Sequence, residues 1–111
     1  MSFLRAGKGG GGGGFSQRYT SFSGSSDVHI SMGFKPKAFA IYCATYNSTR
    51  KNLFYYDEAL NPDYVYQNFD GSESTRALTQ AGGVYIDNDG INIIAEIAAY
   101  MNGKLVYVIA Y

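Results

Sequence analysis

The residues that could carry out catalysis in this sequence are few and lie far apart along the chain. His29 is the only histidine and Cys43 the only cysteine, so a nucleophilic pair would have to join these two. Such a pair also needs a third group to orient the histidine, and no neighbouring residue supplies one. His29 lies at an outward position of a short alternating segment, where a surface histidine is the simpler interpretation. We therefore predict that the protein is not an enzyme.

An acidic segment near the C-terminus resembles a metal-binding loop only in part. Asp87, Asp89, Gly90 and Glu96 match some spacings of a calcium loop, but Tyr85 then stands where the first acidic ligand should be. Zinc needs more cysteine or histidine ligands than the chain contains. The segment consists of good turn formers between two alternating runs, which favours a hairpin turn. We expect no metal and no cofactor.

Tyrosines are the most distinctive residues, and eleven are present. Tyr55, Tyr56, Tyr64 and Tyr66 cluster on two predicted strands, where alternation places Tyr64 and Tyr66 on one face and separates Tyr55 from Tyr56. Exposed tyrosines suit contact with protein or sugar, because the ring packs while its hydroxyl hydrogen-bonds. The same rings could instead fill a core or cover a sheet. The sequence predicts a candidate contact surface and leaves both interpretations open.

Short alternating segments separated by turn residues position these side chains and predict an antiparallel all-β fold. The predicted strands are 28–32, 38–46, 52–57, 64–69, 84–86, 91–94, 98–101 and 104–111, with 70–74 as a loop. The run 38–46 is apolar on both faces and follows Pro36, so we expect a central strand covered on two sides. These roughly eight strands predict a β-sandwich or a small barrel.

The segment 91–101 has two interpretations. Ile91, Ile94 and Ala98 share a helical face, and alanine, glutamate and methionine favour helix. Asn102-Gly103, however, suits a two-residue type I′ hairpin turn, which needs a strand immediately before it. We favour strand for this reason.

Residues 1–26 are expected to form an extended glycine-rich arm outside the β-domain, which we place at 27–111. Gly9 to Gly14 form an uninterrupted glycine run, which in isolation should be a flexible coil. The arm carries Arg5, Lys8 and Arg18, whereas all nine acidic residues follow it. A basic arm can dock onto an acidic neighbour, with Phe3, Leu4, Arg5 and Phe15 as candidate subunit anchors. A solvated tail would fit the same charges.

Composition also bounds the partners and the compartment. Three dispersed basic residues are too sparse to indicate nucleic acid binding. No stretch has the apolar length of a transmembrane helix, so no membrane partner is expected. The N-terminus lacks the apolar region of a signal peptide, which predicts synthesis in a cytoplasm.

The segment Gly33-Phe34-Lys35-Pro36-Lys37 before an apolar strand, the later turn Asp87 to Gly90 and the aromatic last strand ending at Tyr111 carry a resemblance. Together they resemble small β-sandwich domains of phage virion proteins, such as tail fibres, baseplates and capsid decorations. The resemblance covers roughly 28–111. The absence of tryptophan and the short chain favour a capsid-decorating protein over a tail fibre.

The resemblance implies a virion component, made in a host cytoplasm, that binds a surface, self-assembles, or both. The expected partners are copies of the same chain, with a trimer as one option, other virion proteins and a host-surface glycan. The alternative is a soluble carbohydrate-binding module without catalytic activity.

Overall fold

The computed structural model describes residues 14–22, 26–43, 52–69 and 71–111, and these contain nine β-strands and one short helix. The strands are β1 Ser16–Ser21, β2 Val28–Ser31, β3 Ala38–Cys43, β4 Asn52–Asp57, β5 Tyr64–Phe69, β6 Ser72–Ala77, β7 Val84–Ile86, β8 Gly90–Ile93 and β9 Leu105–Ala110. Helix α1 spans Ala95–Ala98, and a 3₁₀ turn follows over Ala99–Met101. In this part of the chain, no helix has the length and apolar character needed to cross a membrane.

The strands form two antiparallel sheets. The six-stranded sheet has the order β1-β9-β3-β4-β5-β6, and the three-stranded sheet has the order β2-β8-β7. The sheets pack against each other around one core, so the predicted all-β sandwich is confirmed. Residues 1–13 and 23–25 of the arm predicted at 1–26 lie outside the described residues.

Alternation along the strands builds the core. Phe39, Ile41 and Cys43 on β3 are fully buried, as are Ile91 and Ile93 on β8 of the other sheet. Each large apolar side chain removed from water contributes about 1.5–3 kcal/mol. These inward-facing side chains therefore hold the two sheets together around one shared core.

β3 is a central strand, as predicted, because it pairs with both β4 and β9. The expectation that it is covered on two sides is wrong. Ala40 and Tyr42 on its other face are only half-buried, and the second sheet packs on the inward side alone. Neighbouring side chains on the same face give Ala40 and Tyr42 their partial cover.

The predicted boundary after residue 26 differs from the structure, because β1 lies within the supposed arm. β1 pairs with β9 along its whole length, from Ser16 opposite Ala110 to Ser21 opposite Leu105. Phe22, directly after β1, is only 4% exposed and belongs to the core. The polar residues of β1 give no apolar alternation by which the strand could be predicted, because an edge strand with one solvent face needs few apolar side chains.

The predicted loop at 70–74 overlaps the first half of β6. This strand forms the edge of the large sheet opposite β1. Its exposed residues pair with β5 from Ser72 opposite Phe69 to Ala77 opposite Tyr64. The Arg76 guanidinium donates to the Gln67 side chain and, at 3.0 Å, to the carbonyl of Gly82. These bonds tie a polar edge strand to its neighbours without apolar burial.

The strand predicted at 98–101 is wrong, because the chain turns into α1 and the 3₁₀ turn. Ile97 and Met101 from these turns are buried in the core, and Asp27 Oδ1 accepts a hydrogen bond from Ala95 N at 2.8 Å. The carboxylate satisfies a backbone donor at the first turn, and apolar burial supplies the remaining stabilisation. Helical propensity and packing therefore agree over this segment.

The Asn102-Gly103 turn is also of a different type from the one predicted. Asn102 has φ −60° and ψ 132°, whereas Gly103 has φ 74°. These angles match a type II turn, which needs positive φ only at its second central residue. Lys104 N donates to Met101 O at 3.1 Å, and Gly103 N donates to Phe22 O at 2.7 Å. The turn therefore connects a helical turn, rather than a strand, to β9.

Phe22→Ala should lower the free energy of unfolding by about 3–5 kcal/mol, because it leaves a cavity in the core. Phe15→Ala is the matched control, since Phe15 is 45% exposed and its loss should change stability by less than about 0.5 kcal/mol. Chemical denaturation of both variants measures the difference. Equal stability of the two variants would contradict the placement of Phe22 in the core.

Truncation tests the domain boundary independently. Removing residues 1–13 leaves β1 intact and should preserve the melting temperature. Removing 1–26 takes away β1 and Phe22, so we expect a large drop in melting temperature or loss of folding. Circular dichroism of the two truncated chains measures this, and a fully stable 27–111 chain would contradict the boundary given by the structure.

Candidate functional site

The outward face of the six-stranded sheet gathers tyrosines from five strands, and we call it the tyrosine face. It carries Tyr19 on β1, Tyr107 on β9, Tyr42 on β3, Tyr55 on β4, and Tyr64 and Tyr66 on β5. Registered pairs place Tyr19 opposite Tyr107 and Tyr107 opposite Tyr42. The next row places Ala40 opposite Tyr55 and Tyr55 opposite Tyr66. The order of the strands thus places tyrosines that are distant in the sequence on one surface.

The charges on this face are few and of one sign. Among the described strand residues that share its alternation, the charged ones are Asp57, at the end of β4, and Glu73, on the edge strand β6. Arg18 and Arg76 occupy strand positions that face the other side of the sheet. Arg18 donates a hydrogen bond to the carbonyl of Ser31 on β2. The tyrosine face is therefore aromatic, largely uncharged and acidic at its margins.

One end of the tyrosine face forms a small pocket, which we call the tyrosine pocket. Its volume is ≈ 120 Å³, and its lining residues are Tyr55, Asp57, Leu60, Asn61, Tyr64, Tyr66 and Thr75. Tyr64 is 47% exposed and Leu60 is exposed, whereas Tyr55 and Tyr66 are half-buried. The tyrosine rings and a leucine thus form walls beside the Asp57 carboxylate, the Asn61 amide and the Thr75 hydroxyl.

The loop after β4 holds the polar groups of the pocket in place. Asp57 Oδ1 accepts a hydrogen bond from Ala59 N at 2.9 Å, and Asn61 Oδ1 accepts one from Asp63 N at 3.0 Å. The Asp57 carbonyl also accepts bonds from the backbone N–H of Leu60 and of Asn61. These short-range bonds are those of turns in which Asp and Asn side chains bind their own backbone, which explains why both residue types occur here.

The structure separates the four tyrosines that the sequence grouped. Tyr55, Tyr64 and Tyr66 line the tyrosine pocket, and the predicted split between Tyr55 and Tyr56 is confirmed. Tyr56 is only 3% exposed and stacks in the core beside Phe39, with ring centroids 5.4 Å apart. Tyr56 therefore has no place in a contact surface, because its neighbouring position in the strand turns it inward.

Sequence reasoning missed Tyr19, Tyr42 and Tyr107 as members of the same surface. Tyr19 is 67% exposed, and its ring centroid lies 5.2 Å from that of Tyr107. Tyr107 also donates its hydroxyl to Gln17 Oε1 at 3.2 Å. Alternation in the sequence gave the facing of Tyr42 and Tyr107 but not of Tyr19, because β1 was not predicted. Only the order β1-β9-β3 places the three side by side.

The predicted subunit anchors are mostly beyond the described structure. Phe3, Leu4 and Arg5 lie outside the described residues. Phe15 precedes β1 and exposes nearly half of its side chain. An apolar ring at this point remains accessible, and the anchoring role stays a prediction.

A second polar cluster joins the small sheet to its hairpin turn. His29 Nε2 lies 2.9 Å from Asp89 Oδ2, and His29 Nδ1 lies 2.7 Å from Asn92 Oδ1. The Asn92 amide nitrogen in turn donates to Asp87 Oδ2 at 2.9 Å. With both ring nitrogens facing oxygen acceptors, the arrangement suits the doubly protonated imidazolium.

The pKa values of the cluster shift accordingly. Hydrogen bonds to Asp89 and then to Asn92 raise the pKa of His29 above its usual value. The bond from Asn92 is the main cause that lowers the pKa of Asp87, and the bond from His29 is the main cause that lowers the pKa of Asp89. The exposed histidine is thus part of an ion pair that fastens β2 to the turn.

The turn itself is the hairpin that the sequence predicted. Asp87 Oδ1 accepts hydrogen bonds from Asp89 N at 2.8 Å and from Gly90 N at 2.9 Å, between β7 and β8. Gly90 is required for close packing, because an added Cβ would lie 2.0 Å from the carbonyl oxygen of Ile30. Glu96 lies apart on α1, and no group of three or more His, Cys, Asp or Glu side chains in the described ranges could hold a metal ion.

The structure also places His29 and Cys43 in different environments. Cys43 is fully buried on β3 of the large sheet, whereas His29 is exposed on β2 of the small one and bonded to carboxylate and amide oxygens. The sheet assignment therefore does not bring them together as a nucleophile and its base.

Comparison with known proteins adds no relative. The chain matches no protein family, no curated protein and no solved structure.

The histidine cluster predicts a pH dependence of stability. Because folding raises the pKa of His29, its contribution is fully present below the ordinary histidine pKa and is lost as the pH rises through the raised value. Because folding lowers the pKa of Asp87 and Asp89, their contribution is present above the ordinary carboxyl pKa and is lost as the pH falls through the lowered values. The cluster should stabilise most between about pH 4 and pH 6.5.

We expect His29→Gln to reduce the free energy of unfolding most within that window and less at alkaline pH. Denaturant titrations across the pH range measure the difference from the wild type. Ser74→Gln on the exposed strand β6 is the control, and its effect should not change with pH. A pH-independent effect of His29→Gln would refute the ion pair.

Proposed function

We propose that this chain is a structural protein of a phage virion, whose β-sandwich is displayed and makes a non-catalytic contact through the tyrosine face. In this proposal residues 1–13 and Phe15 attach the domain to neighbouring subunits, and the other partners are further virion proteins. The observation that carries the proposal is the tyrosine face itself, with six tyrosines on the outward side of one sheet.

The composition of that face supports a contact role. Tyrosine combines a large apolar ring with a polar tip, so it can lie in water before assembly and still release apolar area on binding. Interface centres are depleted in charged residues and enriched in aromatic ones. The two rows of tyrosines, with Asp57 and Glu73 only at the margins, fit this pattern.

The rigidity of the sheet supports the same role. Tyr42 and Tyr55 stand on the central strands β3 and β4, which are hydrogen-bonded on both sides. A surface of this kind loses little conformational freedom when it binds, because its backbone is already ordered. A subunit that must assemble in many identical copies benefits from such a surface.

The segment that carries the resemblance to phage domains supports the same assignment. Gly33 follows β2 with a positive φ, Phe34 packs against the core, and Pro36 is fully buried in the segment that leads into β3. The Asp87–Gly90 turn joins β7 to β8, and β9 is the last strand. Each motif that carries the resemblance therefore lies beside or within a strand of the sandwich, which is the arrangement that the proposal requires.

The second candidate is a soluble carbohydrate-binding module, and the tyrosine pocket is the observation that favours it. Tyr64 and Tyr66 could stack on a sugar ring, while Asp57 and Asn61 could bind its hydroxyl groups. This candidate requires no assembly and no contact by residues 1–13.

Location in the particle tests the proposed function. Antibody raised against the folded domain should label intact particles made by the genome that encodes this chain, and mass spectrometry should find the chain in purified particles. Deleting residues 1–13 should prevent incorporation while the domain stays folded. A chain that is absent from purified particles would refute the proposal.

Mass in solution separates the two candidates. A stable oligomer by light scattering would favour the structural role. A monomer that binds a glycan on an array, and loses binding with Tyr64→Ala but not with Tyr19→Ala, would favour the carbohydrate-binding module.

A further inference from the structure

We propose that the tyrosine pocket binds a trimethylammonium head group, the cationic group of choline. The inference rests on the proposed function only in taking the tyrosine face as the displayed contact surface, and it names the chemistry that this surface recognises.

Three aromatic rings line one small cavity. Tyr55 and Tyr66 are directly opposite on neighbouring strands, and Tyr64 is the next residue of β5 on the same face. All three line the tyrosine pocket. Aromatic rings attract cations through their electron-rich faces, and sets of such rings are a common way of binding quaternary ammonium groups.

The charge of the pocket also favours a cation. The pocket contains the carboxylate of Asp57 and no Lys, Arg or His among its lining residues. Exposed Glu58 and Asp63 flank it in the sequence and in the loop. A negative potential at this site attracts a cation and repels a phosphate, a sulfate or an acidic sugar.

The pKa values of two tyrosines are affected by the same carboxylates. Burial is the largest cause that raises the pKa of Tyr55 above its usual value, and the charge of Asp57 adds to it. Burial is also the largest cause that raises the pKa of Tyr56, on the other side of the sheet, and the charges of Glu58, Asp57 and Asp63 raise it further. The acidic groups therefore act on the rings at this end of the sheet, in addition to burial.

The apolar walls of the pocket favour a quaternary ammonium group over a primary one. The walls are three rings and Leu60, so most of the surface that a ligand meets is apolar. A lysine or arginine head group would need an acceptor for each N–H, and those left unpaired would carry a cost. A trimethylammonium group has no N–H, and its methyl groups can contact the rings directly.

The size of the pocket and the order of its loop also suit a small cationic group. A volume of ≈ 120 Å³ is below the ~300–1,000 Å³ of pockets that enclose drug-sized ligands, which suits a compact head group. The hydrogen bonds of Asp57 and Asn61 within their loop hold the acidic wall in position before binding. Such preorganisation reduces the entropy lost when the ligand binds.

The decisive experiment compares choline with its neutral isostere, in which carbon replaces the quaternary nitrogen. Titration of the full chain, followed by NMR of the tyrosine ring protons, should show at least about tenfold tighter binding of choline. Equal binding of both compounds would overturn the proposal, because it would indicate a merely apolar cavity. Binding of N-acetylglucosamine but not of choline would overturn it in favour of a sugar site.

Variants locate the binding. Tyr64→Ala removes a half-exposed ring and Asp57→Asn removes the charge but keeps an oxygen for Ala59 N, so both chains should fold and bind choline at least about fivefold more weakly. Tyr19→Ala removes an exposed tyrosine from the distant edge strand and should leave binding unchanged. Melting curves confirm folding, and an effect of Tyr19→Ala equal to that of Tyr64→Ala would refute the site.

Two sources of the head group can be separated by further titrations with phosphocholine and with a trimethyl-lysine peptide. Tighter binding of either than of its unmethylated counterpart supports the proposal and identifies the source, and absence of both effects overturns it. Choline binding is measured on the isolated chain, so its failure leaves the particle location untouched, and absence from particles leaves choline binding untouched.

Discussion

The register of β3 between β4 and β9 is the constraint on which the rest of the structure depends. Phe39, Ile41 and Cys43 lie inward, and Ala40 and Tyr42 lie outward, so one side of the sheet is core and the other is surface. A slip by one residue would exchange these faces along every paired strand. The burial of fully enclosed side chains therefore fixes, at the same time, which tyrosines reach the outside.

The smaller sheet covers the inward face of the large sheet and so completes the burial of its apolar side chains. β2, β8 and β7 supply one apolar face, and the helical turns after β8 add Ile97 and Met101 to it. The polar contacts lie around this core. The His29 ion pair secures the hairpin turn at one margin, and Asp27 caps the first turn of α1 at another. Polar groups thus orient the loops, while apolar area holds the layers together.

The two polar sites differ in what they leave available. In the histidine cluster, the ring nitrogens and their acceptors bond to one another. Their hydrogen-bonding groups therefore stabilise the fold. In the tyrosine pocket, Asp57 and Asn61 each use one side-chain oxygen to hold the loop. The Asp57 carboxylate also bonds to the Tyr55 side chain, and a carboxylate can accept several bonds. A binding role is therefore best sought on the outward face of the large sheet.

The sequence by itself determined the features that depend on neighbours in the chain. Alternation gave the fold class, most of the strands and the opposite facing of Tyr55 and Tyr56, and the turn at Asp87–Gly90 followed from its residue types. It did not reveal β1 or β6, because edge strands with polar residues lack an apolar signal. It also favoured strand over 98–101, where the structure has helical turns. Only the tertiary structure decided which strands lie side by side, since that depends on packing between residues distant in sequence. This is why Tyr19, Tyr42 and Tyr107 join the tyrosines of β4 and β5 on one surface.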